Sequence, residues 1–159
     1  MYITLITASV VTVLSLSRED CFADIVLMVN VGECNDSRNF GSVKSFLKQL
    51  ASVLDIDIDY IRVGLVIYST NVGTVINLTD HSTVLSLQSA ISLLNYSAGT
   101  GSSTNTAAAL AYVRTTMLTS AAGDRINVPN SVVVVTDGQS DNFNATVVSM
   151  IILLNVVSH

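Results

Sequence analysis

Two strand-length segments that are apolar on both faces constrain the fold most strongly. Residues 131–136 read Ser-Val-Val-Val-Val-Thr, and residues 24–30 read Asp-Ile-Val-Leu-Met-Val-Asn. A strand with one face in water alternates apolar and polar residues, whereas a parallel strand covered by helices on both sides is apolar throughout. We therefore expect both segments in the interior of an α/β sheet.

Helical and hairpin patterns lie between and after these segments. Four helices are predicted, over residues 40–54, 84–94, 105–118 and 145–157. Residues 62–68 and 73–78 are β-rich runs whose connection is too short for a crossover, so we expect them to pair as an antiparallel hairpin. The alternation of elements predicts one α/β domain with a mostly parallel sheet.

Composition and charge exclude several classes of protein. Half of the 159 residues are apolar and 12% are charged, whereas disordered chains are polar and charge-rich. Seven Lys and Arg residues stand against twelve Asp and Glu residues, a formal net charge of −5. Because a nucleic-acid interface needs clustered cations to neutralise phosphates, we expect no nucleic-acid partner.

The N-terminal segment, residues 1–17, is uncharged and is followed at once by Arg18. Its apolar stretch is shorter than the ~20 residues of a membrane-spanning helix, so no membrane span is expected. Ser15 and Ser17 occupy the small-residue positions before a signal-peptidase cut, although no basic residue precedes the apolar stretch. We interpret residues 1–17 as a signal peptide, with a buried N-terminal strand as the alternative, and predict a secreted domain over residues 22–159.

Asn-x-Ser/Thr sequons are consistent with secretion, because such sequences accept glycans on the surfaces of secreted proteins. Four occur, and they begin at Asn35, Asn77, Asn95 and Asn144. We therefore predict an extracellular glycoprotein.

Two cysteines, Cys21 and Cys34, lie on either side of the predicted strand at residues 24–30. At ~3.3 Å per residue, this strand separates the thiols by more than about 20 Å. A disulfide needs Cα atoms within about 7 Å, so we expect no bond between these cysteines. The partner of Cys21 then lies on another chain, or the chain is incomplete.

Four segments, in this order and spacing, resemble the von Willebrand factor A domain of matrix proteins such as matrilins and the non-fibrillar collagens. They are Ala-Asp-Ile-Val-Leu-Met-Val at 23–29, Val-Gly-Leu-Val-Ile-Tyr-Ser at 63–69, Ser-Thr-Asn-Thr at 103–106 and Val-Val-Val-Val-Thr-Asp-Gly at 132–138. The resemblance implies a doubly wound, Rossmann-like, mostly parallel sheet with one antiparallel edge strand.

This resemblance extends over residues 22–157, and it also predicts what the domain lacks. The family continues with two further strands and a final helix, so we expect a partial domain in which the strand at 131–136 is an open sheet edge. In related domains a cysteine before the first strand often bonds to one after the last helix. That pattern agrees with a disulfide partner for Cys21 outside this chain.

The hallmark of the family is a metal-ion-dependent adhesion site, and its motif is degenerate in this chain. The resemblance places Thr104 and Asp137 at two ligand positions, and it places Asn30, Gly32 and Cys34 where the family has Asp, Ser and Ser. Hard cations need several oxygen ligands, and Cys is a soft ligand. We expect weak Mg²⁺ or Mn²⁺ binding at most at Asn30, Thr104 and Asp137, and no required cofactor. We favour structural roles, a helix N-cap for Thr104 and a turn for Asp137.

The function that this resemblance implies is that of a non-enzymatic adhesion or extracellular-matrix module. Its partners would be matrix or cell-surface proteins, a collagen among them, with weak or no metal dependence. The alternative is an α/β enzyme with a thiol site at Cys34 or a nucleotide site near Gly99 and Gly101. Cys34 has no His in its segment, and the glycine loop lacks the third glycine of a dinucleotide fingerprint. We therefore expect no enzymatic activity.

Overall fold

A central sheet with helices on both faces organises the chain in the computed structural model, which describes residues 6–7, 22–31, 37–95, 101, 103–136 and 140–157. The strands are β1 (Ile6–Thr7), β2 (Ala23–Asn30), β3 (Ile61–Tyr68), β4 (Val72–Ile76) and β5 (Asn130–Val135). The helices are α1 (Ser37–Ser52), α2 (Val84–Leu93), α3 (Thr106–Tyr112) and α4 (Phe143–Val157).

The strand order is β1-β5-β2-β3-β4. β2 runs parallel to both β3 and β5, while β4 pairs with β3 in the antiparallel direction. The predicted fold class, a mostly parallel α/β sheet with an antiparallel edge strand, is confirmed, and so is the hairpin.

Two apolar cores explain why the inner strands are apolar on both faces. On one face Leu27 and Val29 pack in a cluster with Leu47 of α1 and Ile91 of α2. On the other face Val26, Met28 and Leu110 of α3 belong to a second cluster, which also includes Leu153 of α4. Alternate residues of one strand thus fill opposite cores, as the pleat requires.

The predicted helix at 105–118 is divided into parts. α3 ends at Tyr112 and continues as a π-helical turn, Val113–Met117, followed by a short 3₁₀ turn, Ser120–Ala122. The Leu118 N–H donates to the Val113 carbonyl five residues back at 2.9 Å, which is the wider π spacing. Val113 and Met117 both remain buried against the sheet.

At the β5 edge, the chain's own N-terminal segment supplies a short neighbour. Ile6 and Thr7 pair with Val134 and Val133 in the antiparallel direction. The strand at 131–136, expected to be an open edge, is therefore covered over these two residues. Cleavage of residues 1–17 stays a prediction, and the pairing shows where Ile6 and Thr7 lie while they remain attached.

Within the part of the chain that the structure describes, no helix combines the length and the apolar character needed to cross a bilayer.

Candidate functional site

The carboxyl ends of β2 and β3 meet at one edge of the sheet, which we call the carboxyl edge. Asn30, the last residue of β2, lies opposite Tyr68, the last residue of β3. The N–H of Val31 donates to the Tyr68 carbonyl at 2.9 Å and extends this pairing beyond the strands. In open α/β sheets ligands bind beyond this edge, because loops from different strands converge there.

The loop before α3 is bound to the end of β3. The Asn105 N–H donates to the Ser69 carbonyl at 2.9 Å, and the Asn105 side-chain amide donates to the Thr70 carbonyl at 3.4 Å. The hydroxyls of Thr70 and Ser103 lie 3.1 Å apart. Through Ser69, the neighbour of Tyr68, the fold brings Thr104 to the same edge as Asn30.

Thr104 does not cap α3, so the favoured structural role for this residue is wrong. The cap is Asn105, whose side-chain oxygen accepts a hydrogen bond from the Ala108 N–H at 3.2 Å. The Thr104 carbonyl instead accepts from the Thr106 N–H at 3.0 Å, which places Thr104 one residue before the cap. The physical reason is the register of the loop, since the cap must precede the first helical residue.

Sequence reasoning missed Asp141, which joins a third segment to this edge. Its Oδ1 accepts from the Thr104 N–H at 3.0 Å, and its own N–H donates to the Thr104 carbonyl at 3.0 Å. The Ser140 hydroxyl also donates to that carbonyl, at 3.2 Å, and lies 2.7 Å from the Thr146 hydroxyl. The available signal was an acidic residue in a Gly- and Ser-containing segment directly after a buried strand.

Two buried hydroxyls at the carboxyl edge stand out. Ser69 and Thr104 are 0% and 1% exposed, and neither Ser69 Oγ nor Thr104 Oγ1 has a hydrogen-bond partner among the described residues. A buried polar atom without a partner costs about 1–3 kcal/mol. Such atoms often mark the place of a water, an ion or a ligand.

The donor set for a divalent cation is only partly within the described residues. Asn30 and Thr104 lie at the carboxyl edge, whereas Asp137, Gly32 and Cys34 lie outside the described residues. The Thr104 hydroxyl fits an oxygen ligand, and Asn30 supplies a neutral amide where the family has a carboxylate. Where the structure describes the chain, no group of three or more His, Cys, Asp or Glu residues could hold a metal ion.

Of the residues that the alternative, enzymatic interpretation could use, the structure describes His81 and Gly101. His81, one of the two histidines that could serve as a general base, lines a cleft of about 200 Å³ together with Asp59 and Arg62, near the start of β3. The length of β3 separates this cleft from the carboxyl edge by about 25 Å. Cys34 and Gly99 lie outside the described residues, and His159 does as well. Among the described residues, His81 therefore lies at the opposite end of β3 from the carboxyl edge.

Sequence relatives include a collagen chain and proteins that contain von Willebrand factor A domains. The chain is 38% identical over 122 residues to the collagen alpha-4(VI) chain of Mus musculus, a match that covers 76% of this chain and 5% of that protein. It is 32% identical over 116 residues to von Willebrand factor A domain-containing protein 2 of Homo sapiens, covering 73% of this chain and 15% of that protein. The chain thus spans a small part of the length of these relatives.

Solved structures with the same fold include proximal thread matrix protein 1 from the mussel byssus. One structure matches with a TM-score of 0.79 and 20% identity, and it covers 87% of this chain and 36% of that chain. A second, described as having a zinc-occupied metal-ion-dependent adhesion motif, matches with a TM-score of 0.76 and 19% identity at the same coverage of 87% and 36%. The family model for the von Willebrand factor type A domain matches residues 24–155. The chain therefore belongs to the von Willebrand factor type A domain family.

Proposed function

We propose that this chain is a secreted, non-enzymatic extracellular-matrix module that binds other matrix or cell-surface proteins through its carboxyl edge. The observation that carries the proposal is the mutual binding of Thr104 and Asp141. It joins the loop before α3 to the segment after β5 and so presents a preorganised polar surface. Rigid surfaces lose less conformational entropy on binding than mobile ones. The collagen VI and matrix relatives support the same assignment.

Metal is at most a minor contributor in this proposal. Asn30, Thr104 and Asp137 would hold Mg²⁺ or Mn²⁺, and a bound ion would offer a coordination point to an oxygen ligand of the partner. Asn30 carries no charge, so the site has less anionic attraction for the cation than a site with Asp at this position. We therefore expect partner binding to persist without metal.

Exposure of two sequon asparagines supports glycosylation at these positions. Asn95 and Asn144 are exposed, whereas Asn77 is half-buried and its N–H donates to Asp80 Oδ2 at 2.7 Å. Asn35 lies outside the described residues. We propose glycans at Asn95 and Asn144 first, because an oligosaccharide needs an accessible acceptor.

Cys21 would bond to a cysteine outside this chain.

The experiment is a solid-phase binding assay of the full chain, expressed through a secretory pathway, on immobilised collagens and fibronectin. We expect saturable binding to at least one of them, changed by no more than about twofold when EDTA replaces Mg²⁺. Asp141→Ala should weaken this binding, and Leu85→Ser, at the exposed start of α2 and away from the carboxyl edge, is the surface control. Failure to bind any of these proteins, or equal effects of the two variants, would contradict the proposal.

A further inference from the structure

The opposite end of the sheet, which we call the amino edge, gathers three exposed apolar side chains from three separate loops. Phe22 precedes β2, Ile58 precedes β3 and Ile126 precedes β5, and these strands are neighbours in the sheet. The three residues are 41%, 60% and 90% exposed, respectively. Single exposed apolar residues are ordinary, but several on adjoining loops indicate an interaction surface.

One arginine holds these loops together. The Arg125 guanidinium donates to the Asp59 carbonyl at 2.7 Å, the Tyr60 carbonyl at 3.1 Å and the Ala23 carbonyl at 3.0 Å. It also binds the buried Asp24 carboxylate, through Nε at 2.9 Å and through Nη2 at 2.6 Å. The Arg125 side chain thus joins the loop before β5 to the loop before β3 and to the first residue of β2. The amino edge is therefore preorganised.

The same arginine lies over the ring of Phe22 and is the neighbour of Ile126 in the chain. Its Cζ is 5.7 Å from the centroid of the Phe22 ring, and that ring lies 4.8 Å from the ring of Tyr60. Ile126 follows Arg125 in the chain, and Ile58 precedes Asp59, whose carbonyl Arg125 binds. An aromatic ring beside an arginine, with aliphatic side chains on the adjoining loops, is the composition of an interface centre.

The charge around this edge favours a basic partner. Asp55, Asp57 and Asp59 are all exposed in the loop before β3. Arg62 binds Asp59 through two hydrogen bonds, of 2.8 Å and 3.0 Å, and Arg125 already compensates Asp24. Asp57 Oδ1 accepts a hydrogen bond from the Val84 N–H at 3.0 Å, but neither Asp55 nor Asp57 has a cationic partner among the described residues. The described part of the edge therefore carries a negative excess. A partner that brings positive charge is attracted to it, and an acidic partner is repelled.

We propose that the amino edge is a docking surface for a basic, apolar segment of another protein. Phe22, Ile58 and Ile126 contact the apolar side chains of that segment, while Asp55 and Asp57 face its Lys and Arg residues. This surface contains none of the residues of the carboxyl edge, so the proposal goes beyond the function proposed above and can fail independently of it.

Fluorescence anisotropy of the full chain with labelled synthetic peptides tests the proposal. The probe is a peptide of alternating Leu and Lys, and the comparison peptides alternate Leu with Glu and Gly with Lys. We expect binding of the Leu/Lys peptide alone, weakened at least fivefold when the ionic strength rises from about 0.05 M to about 0.5 M. Tighter binding of the Leu/Glu peptide, or equal binding of the Gly/Lys peptide, would overturn the proposal.

Variants locate the binding site. Ile126→Ser and Ile58→Ser should each weaken binding of the Leu/Lys peptide by about tenfold, as truncation of central interface residues does. Leu93→Ser is the matched control, since Leu93 is 85% exposed at the far end of α2 and should leave the affinity unchanged. Exposed apolar-to-Ser changes cost little stability, and circular dichroism checks the fold of each variant. An equal loss in the Leu93 variant would show non-specific binding and overturn the assignment.

Discussion

Thr104 and Asp141 bind each other twice, once through the Asp141 carboxylate and once through the Asp141 N–H, both at 3.0 Å. The two residues are 37 positions apart in the chain, on different loops of the carboxyl edge. A charge-assisted hydrogen bond of this kind contributes about 1.5–3 kcal/mol at most, and less where water competes. The pair therefore sets loop geometry more than it sets overall stability.

Asp141→Ala should thus change binding more than folding. We expect a loss of about 1 kcal/mol in the free energy of unfolding, measured with urea, and a larger relative loss of binding to the matrix protein identified in the solid-phase assay. Asp141→Asn keeps an acceptor oxygen and should retain most of the binding. If Asn and Ala behave alike, the carboxylate is not what orders the loop.

Arg125→Ala should be among the most destabilising single changes in the described part of the chain. It leaves the Asp24 carboxylate, which is 0% exposed, without the guanidinium that binds it. Removing one partner of a buried ion pair costs about 3–5 kcal/mol of stability. Arg125→Lys should recover only part of the loss, because one ammonium cannot reproduce the planar set of hydrogen bonds. Urea unfolding of both variants measures the loss in the free energy of unfolding. A smaller loss for Arg125→Ala than for Asp141→Ala would contradict the prediction.

Two glycines give a matched pair of opposite predictions. Gly123 has φ 96°, and a Cβ built there would lie 2.5 Å from Thr79 Cγ2 and 3.1 Å from the Thr79 nitrogen. Gly41 lies within α1, and a Cβ there meets nothing within 4 Å. Gly123→Ala should therefore destabilise by about 1–3 kcal/mol, while Gly41→Ala should stabilise by about 0.5–1 kcal/mol. Thermal unfolding of both variants tests the signs, and destabilisation by Gly41→Ala would show that helix propensity is not decisive in α1.

Asp124 gives a prediction for the dependence of stability on pH. Burial raises the pKa of its carboxyl from 3.8, the nearby Asp24 charge raises it further, and a hydrogen bond from Asn130 partly opposes the rise. A raised pKa in the folded state means that protonated Asp124 favours folding. Its contribution is fully present below pH 3.8 and is lost as the pH rises through the folded-state pKa.

Asp124→Asn should accordingly raise the free energy of unfolding at pH 7, on the order of 0.5 kcal/mol, and should lose this advantage in acid. Urea titrations of the two proteins from pH 3 to pH 7 measure the difference. An advantage that grows as the pH falls would mean that the Asn130 hydrogen bond outweighs the desolvation of Asp124.

Restoring a carboxylate at position 30 tests the weak metal site. Thermal unfolding of the natural chain should shift by less than about 1 °C between millimolar Mg²⁺ and EDTA, because weak binding adds little stability. Asn30→Asp should raise the midpoint with Mg²⁺ by several times that amount, and Thr104→Val in the same background should remove the gain. A large shift in the natural chain would instead show that the amide at Asn30 suffices.

The sequence pattern alone determined the α/β class and nearly all of the helices and strands, because a strand that is buried on both faces is apolar throughout. The valines of β5 and the Ile-Val-Leu-Met-Val run of β2 are apolar for that reason, and the short connection between β3 and β4 forces a hairpin. The helix boundaries predicted at 84–94 and 145–157 differ from the structure by only a few residues. The resemblance to the von Willebrand factor A family identified Asn30 and Thr104, which the structure places at the same edge of the sheet.

Tertiary structure alone decided the contacts that hold the two edges. Arg125 and Asp24 are 101 residues apart, and no local pattern indicates that one guanidinium would bind that carboxylate and three carbonyls. Asn105 rather than Thr104 caps α3, and Ile6–Thr7 pairs with β5, because loop register and strand pairing depend on distant segments. Sequence periodicity indicates which face of a helix or strand is buried. The partner of a hydrogen bond, in contrast, depends on which distant segments the folded chain brings together.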